Sequence, residues 1–263
     1  MYTFNYQRPT SMASAVSSGQ GDARYLAGGQ SLVQAMKMRL ASAPTLVDLS
    51  GLSELKGISA SANTVTIGSM VKHAEVAVSA EVRRAIPALA NLADGIGDRM
   101  VRNMGTLGGS LANSDPAACY PAAVLGLGAS IKTDRRTING DEFFRGLYET
   151  ALQPGEIIVS VTFNVPQKAA YIKFKQPASR FALVGVFVSQ GSTGVRVGVT
   201  GAKACAFRSA ELEQALSGSF TAAAAAAVKI SPADINADLH ASSAYRAAMI
   251  SVMASRAVAK ALG

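Results

Sequence analysis

The residues best suited to chemistry form two turns rich in glycine and hydroxyl groups, Ala27-Gly28-Gly29-Gln30-Ser31 and Thr106-Leu107-Gly108-Gly109-Ser110. The second lies within a longer run, Arg102 to Pro116, that also carries Gly105, Asn113 and Asp115. Glycine reaches positive φ and lets a ligand approach the backbone closely. Hydroxyls and free backbone N–H groups are what phosphate oxygens accept from. Two such turns, distant in sequence, can close on one diphosphate. Neither matches the spacing GxGxxG or a GxxxxGK loop, and Gly126-Leu127-Gly128 lacks a third glycine, so a Rossmann dinucleotide site and a P-loop are both disfavoured. The only histidines are His73 and His240, and neither sits in a catalytic or metal-binding motif. His73, among small apolar residues on a helix, reads as a satisfied histidine. No catalytic side chain and no metal ligand is expected, and a bound cofactor that carries the chemistry fits better.

The elements around the turns follow from periodicity. Arg24 to Ala27 reads as a strand, Gly28-Gly29 as a turn, and Ser31 to Leu40 as a helix through Leu32, Ala35, Met36 and Leu40. Strand, glycine turn and helix point N–H groups at an anion, although an ordinary turn with Ser31 as cap has the same pattern. Upstream, Ser11 caps a short helix that breaks at Gly19-Gln20-Gly21. Thr45 to Leu49 is a buried strand. Gly57 to Ala60 and Thr64 to Gly68 form a hairpin with Asn63 in its turn. Helices follow over Val71–Val78 and Ser79–Leu92, the second restarting at Pro87. Ala117 to Leu127 is a helix or buried run. Ala129 to Thr133 and Arg136 to Ile138 are strands, Asp141 to Phe144 a short helix with an aromatic pair, and Glu156 to Phe163 part of a long strand. Past Pro166 the chain alternates through Tyr171–Lys175, Val184–Val188 and Gly194–Thr200, then becomes alanine-rich and helical. Its last helix, Ser242 to Leu262, places Arg246, Arg256 and Lys260 on a polar face.

Composition narrows the classes. The chain has 263 residues, 49% of them hydrophobic, enough for a substantial core. It contains no apolar run of about 18 residues, and Met1 to Pro9 lacks the form of a secretory signal, so a cytoplasmic protein without a transmembrane segment is expected. The net charge of +8 is scattered, without the aromatic-interleaved basic segment of a single-strand binder, and nucleic acid is not expected as a partner. Cys119 and Cys205 lie too far apart to build an iron–sulfur or CxxC site on their own, and each reads as a buried thiol.

With these residues in view, the chain resembles the FAD-binding (medium) subunits of molybdenum hydroxylases, the group of carbon monoxide dehydrogenase medium subunits and the xanthine dehydrogenase flavin domain. The likeness rests on Phe4 to Pro9, the two glycine turns, the extended match Arg102 to Pro116, Glu156-Ile157-Ile158 and Tyr171-Ile172-Lys173, in that order along nearly the whole chain. It implies an α+β fold of the vanillyl-alcohol-oxidase/CO-dehydrogenase flavoprotein type. Two FAD-binding lobes, 1–52 and 53–166, would precede a small C-terminal domain, 167–263, with a short antiparallel sheet and helices. FAD would be held by Ala27, Gly28, Gly29, Gln30 and Ser31 and by Thr106, Leu107, Gly108, Gly109 and Ser110, largely through backbone N–H groups. Asn113 and Asp115 lie in the extended motif, Ile158 at a position covering the flavin ring, and Lys173 near the flavin. Two positions depart from the family. Cys119 stands where Asp is usual, and a thiol is a much weaker acceptor. Arg180 stands where Asp often precedes an aromatic residue and alanine, here Phe181 and Ala182.

The resemblance also implies a relay. A molybdopterin large subunit would hydroxylate the substrate, and an iron–sulfur small subunit with 2Fe–2S clusters would pass electrons to FAD in this chain. The assembly would be a heterotrimer or a dimer of heterotrimers. The competing readings are a stand-alone FAD-dependent oxidase of the related fold and a non-enzymatic nucleotide-binding module.

Overall fold

The computed structural model describes residues 1–263. Its first sheet is short and parallel, with Thr45–Asp48 between Asn5–Gln7 and Arg24–Leu26. The crossovers are the helices Met12–Ser18 and Leu32–Lys37. The Ser11 hydroxyl caps the first by accepting from Ser14 N. The second is shorter than its periodicity suggests, because Arg39 takes a left-handed φ of 60° and closes it.

A five-stranded antiparallel sheet comes next. Its centre is Ile158–Asn164, which returns from far along the chain to pair Val161 with both Ile67 and Ile131. The hairpin Ile58–Ala60 and Thr64–Gly68 flanks it on one side, and Ser130–Thr133 with Thr137–Asn139 on the other. The helices His73–Val78, Ala80–Ala85, Pro87–Asp94, Arg99–Met104, Leu107–Asn113 and Tyr120–Gly126 lie between the hairpin and the strand Ser130–Thr133 in sequence. Pro87 does start a new helix, at the N-terminal position where its missing N–H costs nothing. The expected helix over Asp141–Phe144 is only the single turn Gly140–Glu142. It ends because Phe143 is drawn fully into the core, and Phe144 then opens the strand Phe144–Gly146.

The C-terminal sheet is antiparallel, in the order Lys168–Lys175, Ala182–Gly191, Gly194–Thr200 and Phe207–Arg208. Its two faces separate two cores, as the period of two along a strand requires. Phe187 and Tyr171 join the core of the five-stranded sheet, with Val65, Ile67, Leu89, Val161 and Phe163. Val184, Val186, Val188, Val197 and Val199 face the helices Ala210–Gly218, Ala222–Ala227 and Ser243–Leu262. The helix Tyr120–Gly126 lies flat on this sheet, and a Cβ at Gly198 would stand 2.2 Å from the Ala122 carbonyl oxygen. Arg246 does not belong to the polar face expected of the last helix. It is buried, and its guanidinium donates to Leu183 O at 2.6 Å, Gly201 O at 2.7 Å and Asp238 Oδ2 at 2.6 Å, tying the helix to the strand ends. No helix is long and apolar enough to cross a membrane.

Candidate functional site

The strand Arg24–Leu26 runs into the first glycine turn, where Gly29 adopts φ +70°, a region open to glycine at little cost. The N–H groups of Gly28, Gly29, Gln30 and Ser31 donate to no acceptor in the protein. A row of unspent N–H groups between a strand and a helix is an anion cradle.

The second turn is built differently. Thr106 caps the helix Leu107–Asn113, its Oγ1 accepting from Gly109 N at 3.1 Å. The Leu107 N–H is spent on Val71 O at 3.0 Å, that of Gly108 on Ser69 O at 2.8 Å and that of Ser110 on Thr106 O at 3.0 Å. The first turn therefore leaves its backbone N–H groups free, whereas the second spends those of Leu107, Gly108, Gly109 and Ser110 within the protein. The cause is an edge of chain, Ser69 to Val71, that docks against the helix start. What the second turn offers is side-chain hydroxyl: Thr106, which accepts from Gly109 yet keeps its own proton, and Ser110.

The turns meet. A Cβ built on Gly28 would stand 2.1 Å from Met104 O and 2.6 Å from Gly105 Cα, and one on Gly109 would stand 3.2 Å from Ala27 Cβ. Between and beside them opens a cleft of about 470 Å³, within the ordinary range for cofactor sites. Ala27, Gly28, Gly29, Gln30, Ser31, Thr106, Gly108, Gly109, Ser110, Asn113, Asp115, Ile158 and Lys173 all line it. Leu107 does not. It is fully buried in the core of the five-stranded sheet. Asp115 accepts from Ala117 N at 2.8 Å, and burial pushes its carboxyl above the usual range.

Several lining residues carry no motif of their own. Ile96, Leu152, Ile157 and Phe181 supply apolar wall. The Lys173 ammonium donates to Gly95 O at 2.8 Å and Arg180 O at 2.8 Å and lies 3.4 Å from Cys119 Sγ. Cys119, through its thiol, and Arg180, through its backbone carbonyl, thus meet at one ammonium although they lie far apart in sequence. Cys119 is buried as expected, whereas Cys205 is only half-buried. Glu156 sits under the cleft wall with its side chain sealed from solvent. It accepts from Gln153 N at 2.7 Å, Thr133 Oγ1 at 2.8 Å, Arg136 Nε at 2.9 Å and Arg136 Nη2 at 3.0 Å, which holds its carboxyl down at about 2.

His73 is not the satisfied histidine expected. It is 5% exposed and lines the cleft, and its imidazole makes no hydrogen bond within the protein. Burial, with the nearby Arg102 charge, lowers its pKa from 6.5 to about 4. The unfolded chain therefore binds a proton below 6.5 that the folded chain refuses until about 4. This contribution to stability is complete above pH 6.5 and is lost as pH falls toward 4. Between pH 7 and pH 5 the wild-type chain should lose about 2 kcal/mol more than His73→Gln, read by urea unfolding of both at the two pH values. Equal losses would show that His73 titrates normally.

Residues 2–167 match the family model described as the FAD binding domain in molybdopterin dehydrogenase. The chain is 35% identical to the carbon monoxide dehydrogenase medium chain of Hydrogenophaga pseudoflava over 97% of this chain and 96% of that protein. It is 32% identical to the nicotine 6-hydroxylase medium subunit of Paenarthrobacter nicotinovorans over 97% of this chain and 96% of that one. Among solved structures, a chain of the Hydrogenophaga pseudoflava carbon monoxide dehydrogenase lacking the Mo-pyranopterin moiety superposes with a TM-score of 0.90 at 32% identity, covering 99% of this chain and 98% of that chain. Quinoline 2-oxidoreductase from Pseudomonas putida 86 superposes with a TM-score of 0.88 at 28% identity, over 99% of this chain and 97% of that one. The α+β architecture, the two meeting glycine turns and these likenesses along the whole chain lead to one assignment: the chain belongs to the family of FAD-binding domains of molybdopterin dehydrogenases.

Proposed function

We propose that the chain is the FAD-binding, electron-transferring medium subunit of a heteromeric molybdenum hydroxylase, and that the cleft between its glycine turns holds the FAD. The observation that carries the reading is the convergence of two turns, distant in sequence, on one cleft into which the first presents four unspent N–H groups. Bound FAD supplies the redox chemistry, accepting electrons singly and delivering one or two. The chain's own residues bind and orient it. The N–H groups of Gly28 to Ser31, together with the Thr106 and Ser110 hydroxyls, would hold its linking diphosphate. Gln30, Asn113 and Asp115 offer polar contacts along the cleft. Ile158 and Phe181 would keep water from the flavin, and Lys173 would hold positive charge within the cleft.

In this reading the lobes are 1–52 and 53–166, followed by the domain 167–263. The boundaries fall between the three-stranded, five-stranded and four-stranded sheets. The partners are an iron–sulfur small subunit and a molybdopterin large subunit in a cytoplasmic heterotrimer or its dimer. Two distant cysteines cannot hold a cluster here, so the clusters lie in another chain. Reconstitution tests the proposal. The purified chain incubated with FAD and desalted should be yellow, release its flavin on acid precipitation and hydroxylate no substrate alone. A colourless product, or substrate turnover by the chain alone, would sink it.

A further inference from the structure

The wall behind the second glycine turn holds side chains whose polar atoms lack partners. His73 opens the helix His73–Val78, and its backbone N–H donates to Gly105 O at 3.0 Å, which pins the ring behind the turn. Nδ1 is sealed from solvent and unpaired, and Ser69 Oγ on the same wall is also unpaired. The Nε2 edge faces Gly105. A Cβ there would stand 2.6 Å from Nε2 and 2.9 Å from Cδ2. Gly28 of the first turn packs on this same Gly105. Nε2 therefore stands close to the place where the two turns meet.

The tautomer follows from cost. A sealed lone pair is tolerated more often than a sealed N–H without an acceptor. We assign the proton to Nε2, the edge not sealed from the cleft. An imidazole kept buried without any partner is a net cost to the apoprotein. An acceptor oxygen arriving in the cleft recovers part of it.

We propose that His73 is a further binding residue for the dinucleotide, its neutral imidazole donating Nε2–H to an oxygen of the linking diphosphate. The inference rests on the reading of the cleft as the FAD site and adds a donor from outside either glycine motif. It complements the second turn, whose own N–H groups are mostly spent.

The test uses the full-length chain, with FAD affinity read from quenching of flavin fluorescence and apoprotein stability from urea unfolding at pH 7. His73→Leu removes the donor and also the unpaired Nδ1. It should weaken FAD binding by about 10- to 100-fold while leaving the apoprotein as stable as wild type or more so, a split that a merely structural histidine would not produce. His73→Gln carries an amide N–H₂ near the place of Nε2 and should bind FAD within about threefold of wild type. A third readout needs no substitution. The chain contains only 2 histidines, so ¹⁵N-histidine labelling gives two imidazoles, and His240 lies exposed in the C-terminal domain. Added FAD should shift the His73 Nε2 resonance and leave that of His240 in place. A His73→Leu chain that binds FAD as wild type does, or a His73 resonance indifferent to FAD bound by wild type, would overturn the proposal alone. A wild-type chain that fails to bind FAD would overturn the cleft reading and this one together.

Discussion

Gly28→Ala is expected to lower FAD affinity by about 100-fold, because a single methyl group parts the two turns. The added Cβ would stand 2.1 Å from Met104 O and 2.7 Å from Met104 C, and these are backbone atoms that cannot swing aside as a side-chain tip would. Overpacking of this kind costs about 1–3 kcal/mol where the surroundings can shift. Here the shift moves Gly105 and the cap at Thr106 away from the free N–H groups of Gly28 to Ser31, so binding bears most of the loss. Gly218→Ala is the control. It lies at the end of the helix Ala210–Gly218, and an added Cβ there meets nothing within 4 Å. Bound flavin per chain, from absorbance after desalting, and the dissociation constant from fluorescence titration give the comparison. If Gly28→Ala retains FAD as Gly218→Ala does, the turns are not held by close backbone contact and the account of the cleft is wrong.

Glu156→Ala should be the most destabilising change near the site, by about 3–5 kcal/mol. The carboxylate is sealed from solvent and serves four donors, two of them on Arg136. Arg136 can turn to water when its partner is lost, since its side chain is 40% exposed. The Thr133 hydroxyl and the Gln153 N–H have less freedom and lose an acceptor. For a chain of this length the loss corresponds to a fall in Tm on the order of 10 °C, read by thermal unfolding at pH 7. The wild-type pH profile carries the same signature. Its pKa is depressed from 4.5 to about 2, so the stability it contributes is complete above 4.5 and is lost as pH falls toward 2. Glu156→Ala should flatten that part of the profile. Because Glu156 precedes Ile157 and Ile158 in the cleft wall, FAD affinity should fall with stability. An unchanged Tm would mean that the buried carboxylate is dispensable.

Much of the site is legible in the amino-acid sequence. The glycine pairs, the cap at Ser11, the restart at Pro87 and the alternation Val184-Val186-Val188 are local. Each is written in residues that constrain their own backbone or choose a face of their own strand. The two glycine turns are short local motifs, and every candidate residue except Leu107 lines one cleft, including Ile158 and Lys173, which only the family resemblance singles out. Leu107 lies outside the cleft because a turn motif names every position, whereas the helix it starts sends that side chain inward to the core.

What the chain's spacing could not contain is which distant group each atom meets. That the turns touch at Gly28 and Gly105, that the second turn spends its N–H groups on the edge at Ser69 to Val71, and that Cys119, Lys173 and Arg180 converge are all consequences of packing. The same holds for His73, left unpaired behind Gly105, and for Arg246, drawn under the C-terminal sheet rather than set on a polar face. Sequence periodicity specifies the side of an element that a residue occupies. Whether that side meets solvent, a carbonyl or a cofactor cleft is decided only when remote segments compete for the same hydrogen-bonding groups.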